Sequence, residues 1–214
     1  MATLPRQFVV RHGITDWNSL GRIQGHAQSH LTDVGLKQAE AIAERLSAEH
    51  IDAIYSSDLD RAMDTARAIA RRHNLTVQPD ARLREADYGA WEGRTMEELK
   101  VLYPDTVTQW MTEPVGVAPT GGESVDQVAA RVGALLEDLR LCSEEQIVVV
   151  GHGGSVRALL CLALHVPQGY SRRVRVDTAS LSVVDLQPTR SVVMGINDRH
   201  HLVEADAVDT FIAF

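Results

Sequence analysis

A chain of 214 residues is long enough for one sizeable α/β domain and short for two. Hydrophobic residues make up 44% and charged residues 23%, the balance of an ordinary globular protein. The net charge of -8 argues against a nucleic-acid binder, because phosphate backbones call for basic faces, so any phosphate site must be a local basic pocket.

The start, Met1 to Arg6, lacks the apolar core of a signal peptide, and the densest later apolar run, Ala158 to Leu164, is too short to span a bilayer. Cys142 and Cys161 lie in apolar helical surroundings and read as free thiols. A cytoplasmic protein with no membrane partner is expected.

In chain order, Gln7 to Val10 is an apolar run typical of a buried strand, ending abruptly in Arg11-His12-Gly13. A cation, a titratable nucleophile and a glycine thus sit at the carboxyl end of a strand, where ligands bind in open α/β sheets. Arginine suits bidentate recognition of a phosphoryl group, and glycine lets backbone approach closely.

A polar loop from Asp16 to Ser29 follows, with Asn18, Arg22, Gln24, Gly25 and His26. Thr32 or Asp33 caps a helix whose buried face carries Ala39, Ile42, Ala43 and Leu46. Ile51 to Ser57 reads as the next strand. A helix from about Asp58 then puts Arg61 and Thr65, four apart, on one face, where Arg61 either points over the strand ends or pairs at the surface with Asp58 or Asp64.

Val77 belongs to a short strand. The segment Leu83-Arg84-Glu85-Ala86-Asp87-Tyr88-Gly89-Ala90-Trp91-Glu92-Gly93 offers Glu85, Asp87 and Glu92 as candidate acids on a tightly turned loop. Thr95 to Leu102 is helical, and Pro104 to Pro119 is irregular or short-helical with Trp110 inserted into the core. A long helix follows Gly122-Glu123-Ser124, its apolar face carrying Val128, Val132, Leu135, Leu136 and Leu139.

Gln146 to Val150 is a central strand by its β-branched run. It ends in Gly151-His152-Gly153-Gly154-Ser155 before a helix over Val156 to Leu164, repeating the strand-end histidine with backbone N–H groups that favour an anion. Val174 to Leu186 and Ser191 to Ile196 are strand-like around a Gln187-Pro188-Thr189 turn and suggest an antiparallel edge hairpin. No repeat or linker interrupts the chain, so residues 1–214 are expected to form one domain.

The matching pieces are Arg11-His12-Gly13, Thr15-Asp16-Trp17-Asn18, Gln24-Gly25, Leu31-Thr32, Ser56-Ser57-Asp58-Leu59, Arg61-Ala62, Leu83-Arg84-Glu85, Gly89, Trp91-Glu92-Gly93, Gly122-Glu123-Ser124 and Gly151-His152-Gly153-Gly154. Together, in this order and over nearly the whole chain, they resemble the histidine phosphatase superfamily of phosphoglycerate mutases and related phosphatases. The expected fold is a three-layer α/β/α sandwich around a mainly parallel sheet with right-handed crossovers.

The resemblance implies that His12 attacks phosphorus to give a phosphohistidine that water hydrolyses. It implies that Arg11, Arg61 and His152 hold the phosphoryl oxygens, with Asn18, Gln24, Gly25 and the Gly153 N–H as further phosphate contacts. Glu85 is implied as the acid that protonates the leaving oxygen and then helps activate water, with a pKa raised by its pocket. The implied enzyme needs no metal or other cofactor and acts on a small phosphorylated metabolite.

The sequence departs from the family pattern after Gln24-Gly25, where His26, Gln28 and His30 replace the usual aromatic, Asp and Pro. A metal hydrolase is the first rival, but no His-x-His or His-Glu-x-x-His pair is present and the adjacent rings of His200-His201 diverge. A module that only binds a phosphorylated partner would usually lack the nucleophile or the acid, and both are here.

A mutase is the closer alternative. The mutases used for comparison carry an arginine-rich insertion between the acid and the second histidine, whereas only Arg94 and Lys100 are basic between Glu85 and Arg131. Hydrolysis is therefore favoured, with phosphoserine, α-ribazole phosphate or a broad range of esters as substrates. Arg172, Arg173 and Arg175 read either as an exposed strand start or as carboxylate ligands, and His200 and His201 as pocket lining or a hairpin cap. The edge strands and the apolar tail Phe211 to Phe214 leave room for a homodimer.

Overall fold

The computed structural model describes residues 6–112, 115–187, 190–205 and 207, so the Phe211 to Phe214 tail and the Pro188-Thr189 turn lie outside the described residues. Strands β1 (Arg6–Arg11), β2 (Ala53–Ser56), β3 (Val77–Pro79), β4 (Gln146–Gly151), β5 (Leu181–Leu186) and β6 (Ser191–Asp198) form one sheet in the order β3-β2-β4-β1-β5-β6. The first four are mutually parallel, while β5 and β6 run antiparallel at one edge.

The β-branched runs occupy the middle of the sheet because both its faces are covered. Val9, Val10 and Val148 to Val150 are fully buried. Alternation along the strands sends Phe8, Val10, Ile54, Val148 and Val150 to one face and Val9, Ile147, Val149 and Val184 to the other.

Helices α1 (Asp16–Ser19), α2 (Asp33–Leu46) and α3 (Asp60–His73) come first in the chain, and α2 and α3 cover the first face with Ala39, Ile42, Leu46, Ala66 and Ile69. Helices α4 (Met96–Leu102), α5 (Pro104–Thr112), α6 (Val125–Leu141) and α7 (Gly153–Ala163) follow, and α6 and α7 cover the second face through Val132, Leu135, Leu139, Val156 and Leu159. Each buried Leu or Ile contributes about 1.5–3 kcal/mol of transfer free energy. The architecture is the expected three-layer α/β/α sandwich.

The crossovers share one hand. The steps β1 to β2 and β2 to β3 move outward with their helices on one face, and the step back from β3 to β4 carries α6 on the other. Thr32 caps α2, its side chain accepting from the Gly35 N–H at 3.1 Å. Gly13 and Gly35 meet backbone to backbone at that cap: a Cβ on Gly13 would collide with the Gly35 carbonyl oxygen, and one on Gly35 with that of Ile14. Gly13 is therefore required by the packing of the β1 loop on α2.

Three expectations are corrected. The strand expected from Val174 begins at Leu181, because residues 174–180 instead loop over the end of β1, with Ala179 at φ +52°. Arg172 and Arg173 lie in a 3-10 turn (Gln168–Arg173) and not at a strand start. The last long helix starts at Gly153, with His152 as its cap, three residues earlier than the apolar pattern suggests. Its first turn is glycine, which hydrophobic periodicity does not register.

Cys142 and Cys161 are both free, but Cys142 caps the end of α6 in extended backbone while Cys161 is buried in α7. A short helix α8 (His200–Glu204) is the last element among the described residues. Among the described residues no helix is long and apolar enough to cross a membrane.

Candidate active site

The carboxyl ends of β1 and β4 lie side by side, with Arg11 paired to Gly151. His12 continues this frame: its N–H donates to the Gly151 carbonyl at 3.0 Å, and its own carbonyl accepts from the Ala179 N–H at 3.0 Å. The loop over residues 176–180 thus fixes the backbone that carries the ring. His201, buried, sits 3.0 Å through Nε2 from the Ala179 carbonyl, so it holds this loop.

The rings of His12 and His152 are 5.0 Å apart between centroids and inclined at 59°. Nδ1 of His12 lies 2.7 Å from the Gly13 carbonyl, an acceptor, so Nδ1 carries the proton and Nε2 the lone pair. Both histidines are buried. Desolvation first, then the charge of Arg61, pushes each well below the ordinary imidazole value, with His12 itself and Arg11 adding to the effect on His152 and Arg11 on His12. At neutral pH both rings are uncharged.

Arg61 is wholly buried on α3 and therefore is no surface residue; Asp58 pairs with Arg84 and Asp64 with Arg67 instead. Its guanidinium donates to the carbonyls of Ala27 at 3.0 Å and Gly25 at 2.7 Å, and burial lowers its pKa to about 10, still charged at neutral pH. Thr65, one turn on, accepts from the Gly13 N–H at 3.2 Å and donates to the Arg61 carbonyl at 2.9 Å, so it ties α3 to the His12 loop. Arg11 is nearly buried and donates to the Val176 carbonyl at 2.8 Å.

Of the three candidate acids, only Glu85 faces the second histidine segment. Its Oε1 accepts from the Gly154 N–H at 2.8 Å and the Ala86 N–H at 2.9 Å. Glu92 instead accepts from the backbone N–H groups of His26 and Ala27 at 2.7 and 2.9 Å, and Asp87 from that of Gly89 at 2.8 Å. A methyl group built on Gly153 would lie 3.5 Å from Glu85 Oε2 and 3.6 Å from Arg11 Cζ, so acid and cation converge there.

The remaining expected contacts are mixed. Asn18 spends its amide oxygen on Thr15, which leaves its NH2 without a hydrogen-bond partner among the described residues. Gln24 turns its oxygen to the Ser29 hydroxyl, and Gly25 offers its carbonyl to Arg61, so these two brace the loop. His26 lies 3.0 Å through Nε2 from the Glu85 carbonyl, and His30 is exposed.

Sequence reasoning missed two cations. Arg131 donates to the carbonyls of Arg82 at 2.8 Å, Arg84 at 2.7 Å and Glu85 at 2.8 Å and pairs with Glu123, stapling the acid loop. Its position three after Val128 and four before Leu135, on the buried stripe of α6, was the available signal. Arg157, four beyond Gly153, shares that residue's helix face, and its Nη1 would lie 3.5 Å from a methyl on Gly153. No group of three or more His, Cys, Asp or Glu suited to a metal ion occurs among the described residues.

A sandwich with a histidine at each of two adjacent parallel strand ends, set among buried arginines, defines a class of phosphoryl-handling enzymes. The model of the histidine phosphatase superfamily (branch 1) matches residues 8–199, and the chain belongs to that family; it is an enzyme of the histidine phosphatase type. It is 40% identical over 197 residues to phosphoserine phosphatase 1 of Hydrogenobacter thermophilus, covering 92% of this chain and 93% of that one. A probable phosphoglycerate mutase of Yersinia pestis is 36% identical over 189 residues, with 88% of each chain covered. The solved mycobacterial glucosyl-3-phosphoglycerate phosphatase in complex with VO3 superimposes with a TM-score of 0.84 at 33% identity, covering 92% of this chain and all of that one (100%).

Proposed function

We propose that this protein, acting as one domain, hydrolyses small phosphate monoesters without a metal, through a phosphohistidine on His12. The observation that carries this reading is the neutral His12 ring, its Nδ1 proton donated to Gly13 and its Nε2 lone pair left for attack beside Arg11, Arg61 and His152.

In the first step the Nε2 lone pair forms a bond to phosphorus while the ester P–O bond breaks, and the Glu85 carboxyl gives a proton to the leaving oxygen. Arg11 and Arg61 are charged before substrate arrives, so they stabilise charge on the phosphoryl oxygens without reorganising. In the second step water adds to phosphorus, its proton passes to the Glu85 carboxylate, and the electron pair of the P–N bond returns to Nε2.

Two features support hydrolysis over mutase chemistry. Glu85 lies at the Gly154 N–H, where it can act on an incoming water, and basic residues are few between Glu85 and Arg131. The likeness to a probable phosphoglycerate mutase makes isomerisation the alternative to test. The experiment is release of inorganic phosphate with a chelator present, from phosphoserine, α-ribazole phosphate, 3-phosphoglycerate and an aryl phosphate. Release from any of them is expected; conversion of 3-phosphoglycerate to its 2-isomer without release would overturn the phosphatase reading.

A further inference from the structure

Arg61 and Glu85 reach the site from different elements, α3 and the loop after β3, yet one short segment bonds to both. Residues 25–27 cross between them. The Arg61 guanidinium donates to the carbonyls of Gly25 and Ala27, which leaves Nε, buried and without a hydrogen-bond partner among the described residues, for a phosphoryl oxygen.

The N–H groups of the same segment turn the other way, to a carboxylate. Glu92 Oε1 accepts from the His26 N–H at 2.7 Å and from the Tyr88 N–H at 3.2 Å, and Oε2 accepts from the Ala27 N–H at 2.9 Å. In a trans peptide the C=O and N–H point in opposite directions. The single peptide unit between Gly25 and His26 thus holds Arg61 at its oxygen and Glu92 at its N–H. A peptide polarised between a cation and an anion bonds each more strongly than it would alone. Gly25, at φ +58°, is required for this approach, because a Cβ there would collide with Glu92 Oε1.

The His26 side chain completes the link. Its Nε2 lies 3.0 Å from the Glu85 carbonyl, an acceptor, so that nitrogen carries the proton, and Nδ1 lies 3.7 Å from Asp87 Oδ2. Backbone bonds zip the two loops together alongside: the Ile23 N–H donates to the Arg94 carbonyl at 2.9 Å, and the Gly93 N–H to the Ile23 carbonyl at 2.8 Å. Electrostatics agrees with this placement. Burial lowers the Arg61 pKa, and the charges of Glu85, Glu92 and Asp60 oppose that fall.

We infer that Glu92 and His26 are positioning residues for phosphoryl transfer: Glu92 aims Arg61 through residues 25–27, and His26 holds the Glu85 loop beside that cation. Each acts through another residue, and neither exchanges a proton with the substrate. The inference rests on the phosphatase reading and divides its two requirements, a fixed cation and a fixed acid, between the two side chains.

The test compares Glu92→Gln and His26→Leu with the parent on an alkyl ester, phosphoserine or 3-phosphoglycerate, and on 4-nitrophenyl phosphate, with inorganic phosphate as a competitive inhibitor. Glu92→Gln replaces an accepting oxygen with an NH2 and removes the charge. It is expected to lower kcat/KM about tenfold on both esters and to weaken phosphate inhibition by a similar factor, the size of one charge-assisted contact. Glu92→Asp keeps the charge on a shorter arm and is expected to restore part of both. His26→Leu is expected to lower kcat about tenfold on the alkyl ester alone, since a nitrophenolate leaves without an acid. Its phosphate inhibition should match the parent. His26 is half-buried, so this variant is tolerated by the fold, and thermal melting checks all three.

A merely structural clamp lowers the active fraction, and hence kcat on both esters, without moving the phosphate inhibition constant. Unchanged phosphate inhibition in Glu92→Gln would therefore overturn the inference. So would a His26→Leu variant that loses activity on both esters in equal proportion, or a parent that hydrolyses the aryl ester alone. No release from any ester, the aryl phosphate included, would instead overturn the phosphatase reading on which the inference stands.

Discussion

Burying two neutral imidazoles makes the fold itself a proton sensor. His12 and His152 are both held well below the ordinary value of 6.5 by desolvation and by Arg61, while in the unfolded chain each returns to about 6.5. Below that value the unfolded state binds protons that the folded state refuses, so stability is fully present above pH 6.5 and falls as the pH drops. A ring that stays neutral in the fold throughout this range costs at most about 2 kcal/mol between pH 7 and pH 5, a limit set by the unfolded value alone, and the pair up to about 4 kcal/mol. That is a large share of a typical stability of roughly 5–15 kcal/mol.

The assay is urea unfolding at half-unit steps from pH 7.5 to 5, for the parent and for His152→Asn. The variant is expected to lose one ring's share of the pH dependence, about 2 kcal/mol at most, whatever its stability at pH 7.5, while His73 and His201, also lowered by burial, keep their contributions in parent and variant alike. Carboxylates held below their usual range, such as Asp58 beside Arg84, act at lower pH and leave this window clear. A parent that loses less than about 1 kcal/mol, or a variant with an unchanged slope, would refute the claim that both rings are neutral in the fold.

Other perturbations address single contacts. Glu85→Gln keeps an acceptor for the Gly154 N–H but no transferable proton, so kcat should fall roughly 10²–10⁴-fold for alkyl phosphates and much less for 4-nitrophenyl phosphate, read by steady-state phosphate release. Thr65→Val leaves the buried Gly13 N–H without its acceptor and should cost about 1–3 kcal/mol in denaturant unfolding, together with a loss of kcat. Gly35→Ala drives a Cβ into the Ile14 carbonyl and should destabilise by about 1–3 kcal/mol or more, seen as a lower melting temperature. Prolonged dialysis against EDTA should leave activity unchanged; a loss restored by one divalent ion would contradict the metal-free reading.

Much of the fold was legible because its signals are local. The Val148 to Val150 run needs cover on both faces, and the helical stripe of Ala39, Ile42 and Leu46 names the side α2 buries. The strand-end histidines were legible for the same reason, each being a polar break in an apolar run. The 174–180 loop was not, since Val174 and Val176 look like strand residues until Ala179 turns to positive φ and its N–H bonds the His12 carbonyl.

Arg131 and Arg157 were hidden by separation in sequence. Their partners lie 46–49 residues away for the acid-loop carbonyls and 17 residues away for Val174. Glu92 misled for the converse reason, since a loop carboxylate that caps backbone N–H groups carries the same residue type as an acid.

The central claim is a covalent phosphoenzyme on His12, and the direct measurement is its capture. Enzyme mixed with excess ester is quenched within milliseconds in alkaline detergent, which preserves phosphohistidine, and digested for phosphopeptide mass spectrometry. The account predicts phosphate on Nε2 of His12, formed as fast as the first burst of alcohol product and absent from His12→Ala, which also releases no phosphate. Turnover that proceeds with His12 unmodified, or with phosphate on another residue, would contradict it.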